Sequence, residues 1–160
     1  MIVLVGFMGA GKTTVGHLLA GKLGLAFIDS DQIIESRAGR SIREIFASDG
    51  EPAFRELEHE VIAELLRGQD AVLALGGGAA EHPATRDALQ ASQVIYLHVG
   101  YDEAMRRVSR DAGRPMLRSP DLPAVFERRL ATYRSVATHT VVTDGRPPQD
   151  VGLEIIGRLA

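Results

Sequence analysis

The sequence predicts an α/β fold built on a parallel sheet, and three observations lead there. Short apolar runs of strand character alternate with stretches whose apolar residues recur at helical spacing, along nearly all of the 160 residues. That alternation is the mark of strand–helix–strand units. The first apolar run, Ile2–Val5, passes through a glycine-rich turn directly into a helical pattern. No repeat, low-complexity tract or linker interrupts the chain, so residues 1–160 read as one domain long enough to bury a sizeable core.

The elements follow in order. Residues 2–5 form a buried strand, and residues 14–23 a helix with Val15, Leu18, Leu19 and Leu23 on one side. A short strand at 26–28 ends at Asp29-Ser30-Asp31, and a helix covers about 32–38. Ser41 and Glu44 stand at capping-box spacing, which starts a short helix running to about residue 47. Pro52 suits the first turn of the next helix, whose stripe is Phe54, Leu57, Val61 and Leu65. The buried strand 71–75 stops at Gly76-Gly77-Gly78. A helix at about 83–91, a strand at 94–97 and a helix at 101–110 come next. A polar loop over 111–121, a helix at 123–136, a strand at 140–142 and a closing helix at 148–159 complete the chain.

Composition narrows the function. Hydrophobic residues make up 45% and charged residues 24%, as in a globular protein that stays in water. A net charge of −3 argues against nucleic-acid or membrane-surface binding. Without cysteine there is no disulfide framework, thiolate metal site or thiol nucleophile. No apolar run approaches the roughly 18 residues of a membrane helix, and residues 1–5 are too short and lack the basic leader of a signal peptide. The expectation is a soluble cytoplasmic enzyme. Only Lys12 and Lys22 are lysines among the basic residues, so each arginine must be judged by position.

Gly6-Phe7-Met8-Gly9-Ala10-Gly11-Lys12-Thr13 fits Gly-x-x-x-x-Gly-Lys-[Ser/Thr], the phosphate-binding loop, between a strand and a helix as that loop requires. The backbone N–H groups of Gly9, Ala10 and Gly11 turn inward to phosphate oxygens, and the helix N-terminus beginning at Lys12, Thr13 and Thr14 adds its positive end. Lys12 reaches the β- and γ-phosphates of a nucleotide, and the Thr13 hydroxyl holds magnesium.

Ligands of open parallel sheets bind at the C-terminal ends of the strands, so further chemistry is sought there. Asp29 and Asp31 straddle a strand-to-helix junction. One suits magnesium held through water and the other a substrate hydroxyl, while the alternative is that Asp29 or Ser30 caps the helix. Three successive glycines at 76–78 cost conformational entropy, which points either to close backbone approach to a ligand or to a tight turn. Arg55, beside Phe54 with Phe46 close in sequence, suits a planar carboxylate; a surface ion pair with Glu51 or Glu58 is the other reading. Arginines in the 110–118 loop, Arg114-Pro115 above all, suit a lid that closes over a nucleotide. His17, His59, His82, His98 and His139 show no metal-ligand spacing.

The ordered set of motifs resembles the shikimate kinase family from residue 2 to about 142. The matching segments are 6–13, Asp-Ser-Asp at 29–31, Gly-Arg-Ser-Ile-Arg-Glu-Ile-Phe at 39–46 and Gly-Glu-Pro-Ala-Phe-Arg-Glu-Leu-Glu at 50–58. Gly-Gly-Gly at 76–78, Arg-Pro-Met-Leu at 114–117 and Tyr-Arg-Ser-Val-Ala at 133–137 extend the match. The resemblance implies a three-layer α/β/α P-loop kinase fold around a five-stranded parallel sheet, in a monomer that transfers phosphate from ATP to the 3-hydroxyl of shikimate, on the route to aromatic amino acids. It implies that substrate-binding helices lie at about 31–67 and a mobile lid at about 110–121. By the same resemblance Asp31 binds the reacting hydroxyl, and Asp29 supports Mg2+ beside Thr13. Arg55 and Arg134 clamp the shikimate carboxylate, Gly76, Gly77 and Gly78 face substrate and γ-phosphate, and Phe46 and Phe54 wall the ring. Arg114 is the lid arginine and Arg110 lies against adenine, although the short spacing between them leaves the arginine that meets adenine open.

Two alternatives differ in particular residues. A gluconate or nucleoside-monophosphate kinase shares the nucleotide loop but is expected to differ around Phe54-Arg55 and Gly76–Gly78. A nucleotide-binding protein without turnover need not keep Asp31 or Arg114.

Overall fold

The computed structural model describes residues 1–109 and 120–160. Five strands, β1 (Ile2–Val5), β2 (Ala26–Asp29), β3 (Ala71–Ala74), β4 (Gln93–His98) and β5 (His139–Val142), form one parallel sheet in the order β2-β3-β1-β4-β5. Eight helices flank it among the described residues: α1 (Lys12–Leu23), α2 (Ser30–Ala38), α3 (Ile42–Asp49), α4 (Glu51–Leu66), α5 (Pro83–Leu89), α6 (Tyr101–Val108), α7 (Leu122–Val136) and α8 (Pro148–Leu159). A 3₁₀ turn, Ala79–Glu81, follows the triple glycine. The five-stranded parallel α/β architecture is as expected from the sequence.

The central strands are apolar on both faces because both are covered. Val3, Leu4, Val72, Leu73, Val94, Ile95 and Leu97 have no measurable exposure, as parallel sheets require. Strand order reverses on either side of β1: the chain goes from β1 by way of β2 to β3 on one side, and β4 then joins the other. The loop after β1 therefore opens into the crevice where such sheets take ligands.

Helix boundaries show local chemistry at work. Ser41 accepts from the Glu44 N–H at 3.2 Å while Glu44 accepts from the Ser41 N–H at 2.7 Å, closing the expected capping box. Helix α2 begins at Ser30, two residues before the expected start, because Asp29 is its N-cap. A second apolar cluster of Ile34, Ile45, Phe54 and Val61 sits among α2, α3 and α4, apart from the main core. Leu65 packs against both clusters.

Candidate active site

The turn after β1 delivers the main chain to α1 in an unusual conformation. Gly9 has φ of 77°, and a methyl group there would sit 2.9 Å from the Ala104 carbonyl oxygen. An L-residue would meet both backbone strain and a collision. Helix α1 has no side-chain cap and no acidic residue in its first turn. Its first N–H groups and dipole are thus presented to the cleft, as an anion needs. The Lys12 ammonium donates to the carbonyls of Gly6 at 2.6 Å and Phe7 at 3.3 Å, which folds it back along its own loop.

Lys12 and Thr13 form one end of a cavity of about 280 Å³ whose other walls come from α2, α3, α4, the triple glycine and α7. Asp31 is carried on the first turn of α2. Helix α4 contributes Phe54, Arg55 and Glu58, which fall on one side at i, i+1 and i+4. Phe46 of α3 completes an aromatic corner with ring centroids 4.6 Å from Phe54. The Arg55 guanidinium lies 5.2 Å from the Phe54 centroid and 5.9 Å from that of Phe46. Both proposed readings of its ion pairing meet here: Nη1 donates to buried Glu58 at 2.6 Å, and Nη2 approaches exposed Glu51 at 3.4 Å.

The triple glycine lets charged groups come close to the main chain. A methyl on Gly76 would lie 2.6 Å from Asp31 Oδ1 and 2.9 Å from Glu58 Oε1, so two carboxylates converge there. A methyl on Gly77 would lie 3.2 Å from Arg129 Nη1, and one on Gly78 would overlap the Arg55 guanidinium. The turn is held in place by the buried Ser30 hydroxyl, which accepts from Gly76 N–H at 3.2 Å, and by Tyr133 Oη, which donates to the Gly77 carbonyl at 2.5 Å. Gly78 has φ of −99° and ψ of −2°, which any residue adopts. Gly78→Ala is therefore expected to fold normally yet displace Arg55. Its KM for the acceptor should rise about tenfold, with the KM for nucleotide changed less than about twofold; steady-state kinetics with each substrate varied checks this.

Electrostatics single out Asp31. Its carboxyl is pushed up to about 6, first by burial and then by the negative charges of Glu58 and Asp29, with Lys12 pulling the other way. Burial also raises Glu58, against the opposing pull of Arg55. A carboxylate poised this close to neutral pH, beside a phosphate loop, has the character of a proton acceptor.

Asp29 caps α2 through Oδ1, which accepts from the Asp31 N–H at 2.9 Å and the Gln32 N–H at 3.4 Å. The side chain still lines the cleft beside Thr13. Among the described residues no group of three or more His, Cys, Asp and Glu could hold a metal. One hydroxyl and one carboxylate are a sparse, hard-oxygen donor set, which fits Mg2+ completed by water and nucleotide phosphate.

The structure separates two arginines of α7. Arg134 is exposed and lines no part of the cleft, its charge acting instead on Tyr96. Arg129, not singled out from the sequence, is buried and lines the cleft. The reason is helical phase: Phe126, Arg129 and Tyr133 stand at i, i+3 and i+7 on the buried face, while Arg134 is rotated away from it. An arginine within an apolar stripe was the available signal. Arg110 and Arg114, with the expected lid at 110–119, lie outside the described residues.

A second cavity adjoins the other side of the phosphate loop, lined by Gly9, Gly11, Thr14, Arg107, Arg146 and Pro147 among others. Arg107 ties its walls together, donating to the Gly9 carbonyl at 3.0 Å and the Thr143 carbonyl at 2.8 Å. Gly9, Ala10, Gly11 and Thr14 face this cavity, Lys12 and Thr13 the first. The loop thus divides two compartments.

Comparison with known proteins decides the family. The family model described as shikimate kinase matches residues 8–160. The chain belongs to the shikimate kinase family. A shikimate kinase of Pseudomonas entomophila is 49% identical over 163 residues, covering 99% of this chain and 95% of the relative. Shikimate kinase from Acinetobacter baumannii, solved in complex with shikimate, superposes with a TM-score of 0.92 at 39% identity, over 99% of this chain and 91% of that one. The Aquifex aeolicus shikimate kinase gives 0.87 at 33% identity, over 99% and 95%. Membership of the shikimate kinase family argues against the gluconate and nucleoside-monophosphate readings.

Proposed function

We propose that the protein transfers the γ-phosphoryl group of ATP to the 3-hydroxyl of shikimate, giving shikimate 3-phosphate and ADP. The observation that carries this reading is the polarity of one cleft. Two arginines, Arg55 and Arg129, stand over consecutive glycines, and two carboxylates, Asp31 and Glu58, converge beside them next to Lys12. A ring bearing one carboxylate and several hydroxyls matches that arrangement, with Phe46 and Phe54 packed along its face.

ATP spans the phosphate loop, its nucleoside in the second cavity near Arg107 and its terminal phosphate facing the first. Arg55 and Arg129 bind the acceptor carboxylate through their paired N–H groups. That fixes the ring so that a hydroxyl points at Asp31. Asp31 orients the hydroxyl and takes its proton as the new P–O bond forms and the bond to the ADP oxygen breaks in line. Lys12 and the α1 N-terminus stabilise charge on the phosphoryl oxygens. When bound, Mg2+ supplies charge neutralisation between the phosphates, with Thr13 and Asp29 as its protein partners. Helices α2 to α4 carry the acceptor side. The resemblance to the family assigns Arg114 to the transferring group and the segment around it to closure against water.

No helix among the described residues is long and apolar enough to cross a membrane. The proposal includes a monomer, as the resemblance to the family implies, working in the cytoplasm, in keeping with the charge and composition of the chain.

A coupled ADP-release assay with shikimate, gluconate and AMP side by side tests the reading, with phosphorus NMR of the product. Turnover with shikimate alone, yielding one phosphate monoester at the 3-position, is expected. Faster turnover with gluconate or AMP, or ADP release independent of acceptor, would overturn it.

A further inference from the structure

Glu81 ends the 3₁₀ turn that starts directly after the triple glycine, and its carboxylate faces α7. One oxygen accepts from Arg128 Nε at 2.8 Å and the other from Arg129 Nε at 3.1 Å. The two pairs are unequal. The Arg128 side chain is 61% exposed and its pair is screened by water, whereas that of Arg129 is 7% exposed. The turn itself is anchored from below, because Arg86 Nη1 donates to the carbonyls of Ala80 at 3.0 Å and Glu81 at 2.8 Å. The Glu81 carboxylate is therefore held at a set place relative to Gly76, Gly77 and Gly78.

Arg129 has a competing carboxylate close by. Its charge acts on Glu58, which already pairs with Arg55 at 2.6 Å. A buried guanidinium deprived of its partner turns to the next available anion, since leaving it unpaired is costly. Without Glu81, Arg129 would swing toward Glu58 and contend with Arg55 for it. With Glu81 in place each arginine keeps its own carboxylate. Engagement through Nε also leaves Nη1 of Arg129 beside Gly77, on the wall of the cleft.

We infer that Glu81 is a positioning residue, which sets Arg129 to receive the acceptor carboxylate and keeps it from Glu58. The inference rests on the reading that Arg129 meets that carboxylate. It identifies no contact between Glu81 and substrate; the effect passes through Arg129 alone.

The test combines Glu81→Ala, Glu81→Gln, Arg129→Ala and the Glu81→Ala/Arg129→Ala double variant in steady-state kinetics. Glu81→Ala should raise the shikimate KM about tenfold and leave kcat and the ATP KM within about twofold. Glu81→Gln, whose carbonyl still accepts from Arg129 while the exposed Arg128 moves aside, should recover most of that loss. In the Arg129→Ala background, removing Glu81 should change the shikimate KM less than about twofold. A large effect of Arg129→Ala with none from Glu81→Ala would overturn this inference alone. No effect of Arg129→Ala on the shikimate KM would instead overturn the reading beneath it. An undiminished Glu81→Ala effect in the double variant, or equal losses in kcat and ATP KM, would show action through the fold and also overturn the inference. Should Glu81→Ala fail to fold, Glu81→Leu, which keeps the bulk and removes the acceptor, supplies the same comparison: a shikimate KM raised in the parent and unchanged in the Arg129→Ala background supports the inference, and a KM unchanged in the parent or raised equally in both overturns it.

Discussion

Asp31→Asn should abolish turnover and at the same time make the protein more stable at neutral pH. A general base contributes about 10²- to 10⁴-fold, and an amide cannot accept the hydroxyl proton, so kcat should fall by roughly that factor. ATP binding, which uses the phosphate loop, should survive. The stability gain follows from the raised carboxyl, about 6 in the folded protein against the usual 3.8. Between those values the folded state keeps a proton that the unfolded chain has lost. The stability Asp31 contributes by this route is fully present below about 4 and is lost as pH rises through about 6. A shift of some two pKa units amounts to about 2 to 3 kcal/mol once partial exposure is allowed for. Urea unfolding of both proteins across pH 4 to 8 should show Asp31→Asn gaining that much on the wild type between about 4 and 7, then holding level. A constant difference across the range would mean that Asp31 is not held in the strained electrostatic setting described.

Arg129→Ala and Arg134→Ala should diverge sharply although the residues share one helix. Arg129 is buried in the cleft beside Gly77, and removal of a buried charged partner costs about 2 to 4 kcal/mol, roughly 30- to 1,000-fold in kcat/KM for shikimate. Part of that loss reflects Glu81 left without its inner partner. Arg134 is exposed, so its removal should change kcat/KM less than about threefold. Competition binding of shikimate, measured by calorimetry on both variants, checks that the difference lies in acceptor affinity. Equal losses would restore Arg134 to the carboxylate clamp.

What was legible in the sequence was local. The phosphate loop, the capping box at Ser41 and Glu44, and the strands 2–5 and 71–75 are specified by neighbours a few residues apart, where turn geometry and periodicity operate. Asp31, Arg55 and Gly76–Gly78 could be singled out because each is an unusual residue at a strand end or beside aromatic surface. Arg129 does not stand out in the sequence because α7 carries three arginines, and only the packing of Phe126 and Tyr133 selects among them. Glu81 reaches it from 48 residues away, and Ser30 holds Gly76 from 46, separations at which sequence spacing has no voice. Arg107 likewise gains meaning only when β5 brings Thr143 beside the phosphate loop.

The small apolar kernel formed by Ile34, Ile45, Phe54 and Val61 has a consequence for redesign. Helices α2–α4, which the proposed function assigns to the acceptor, carry their own centre of packing and meet the sheet through few shared side chains, Leu65 among them. Mutations that rest on separate packing neighbourhoods add nearly independently. On the proposed function, the part of the acceptor pocket carried by α2–α4 is thus open to redesign with little disturbance of the sheet, while Gly76–Gly78 and Arg129 of α7 remain as its fixed walls.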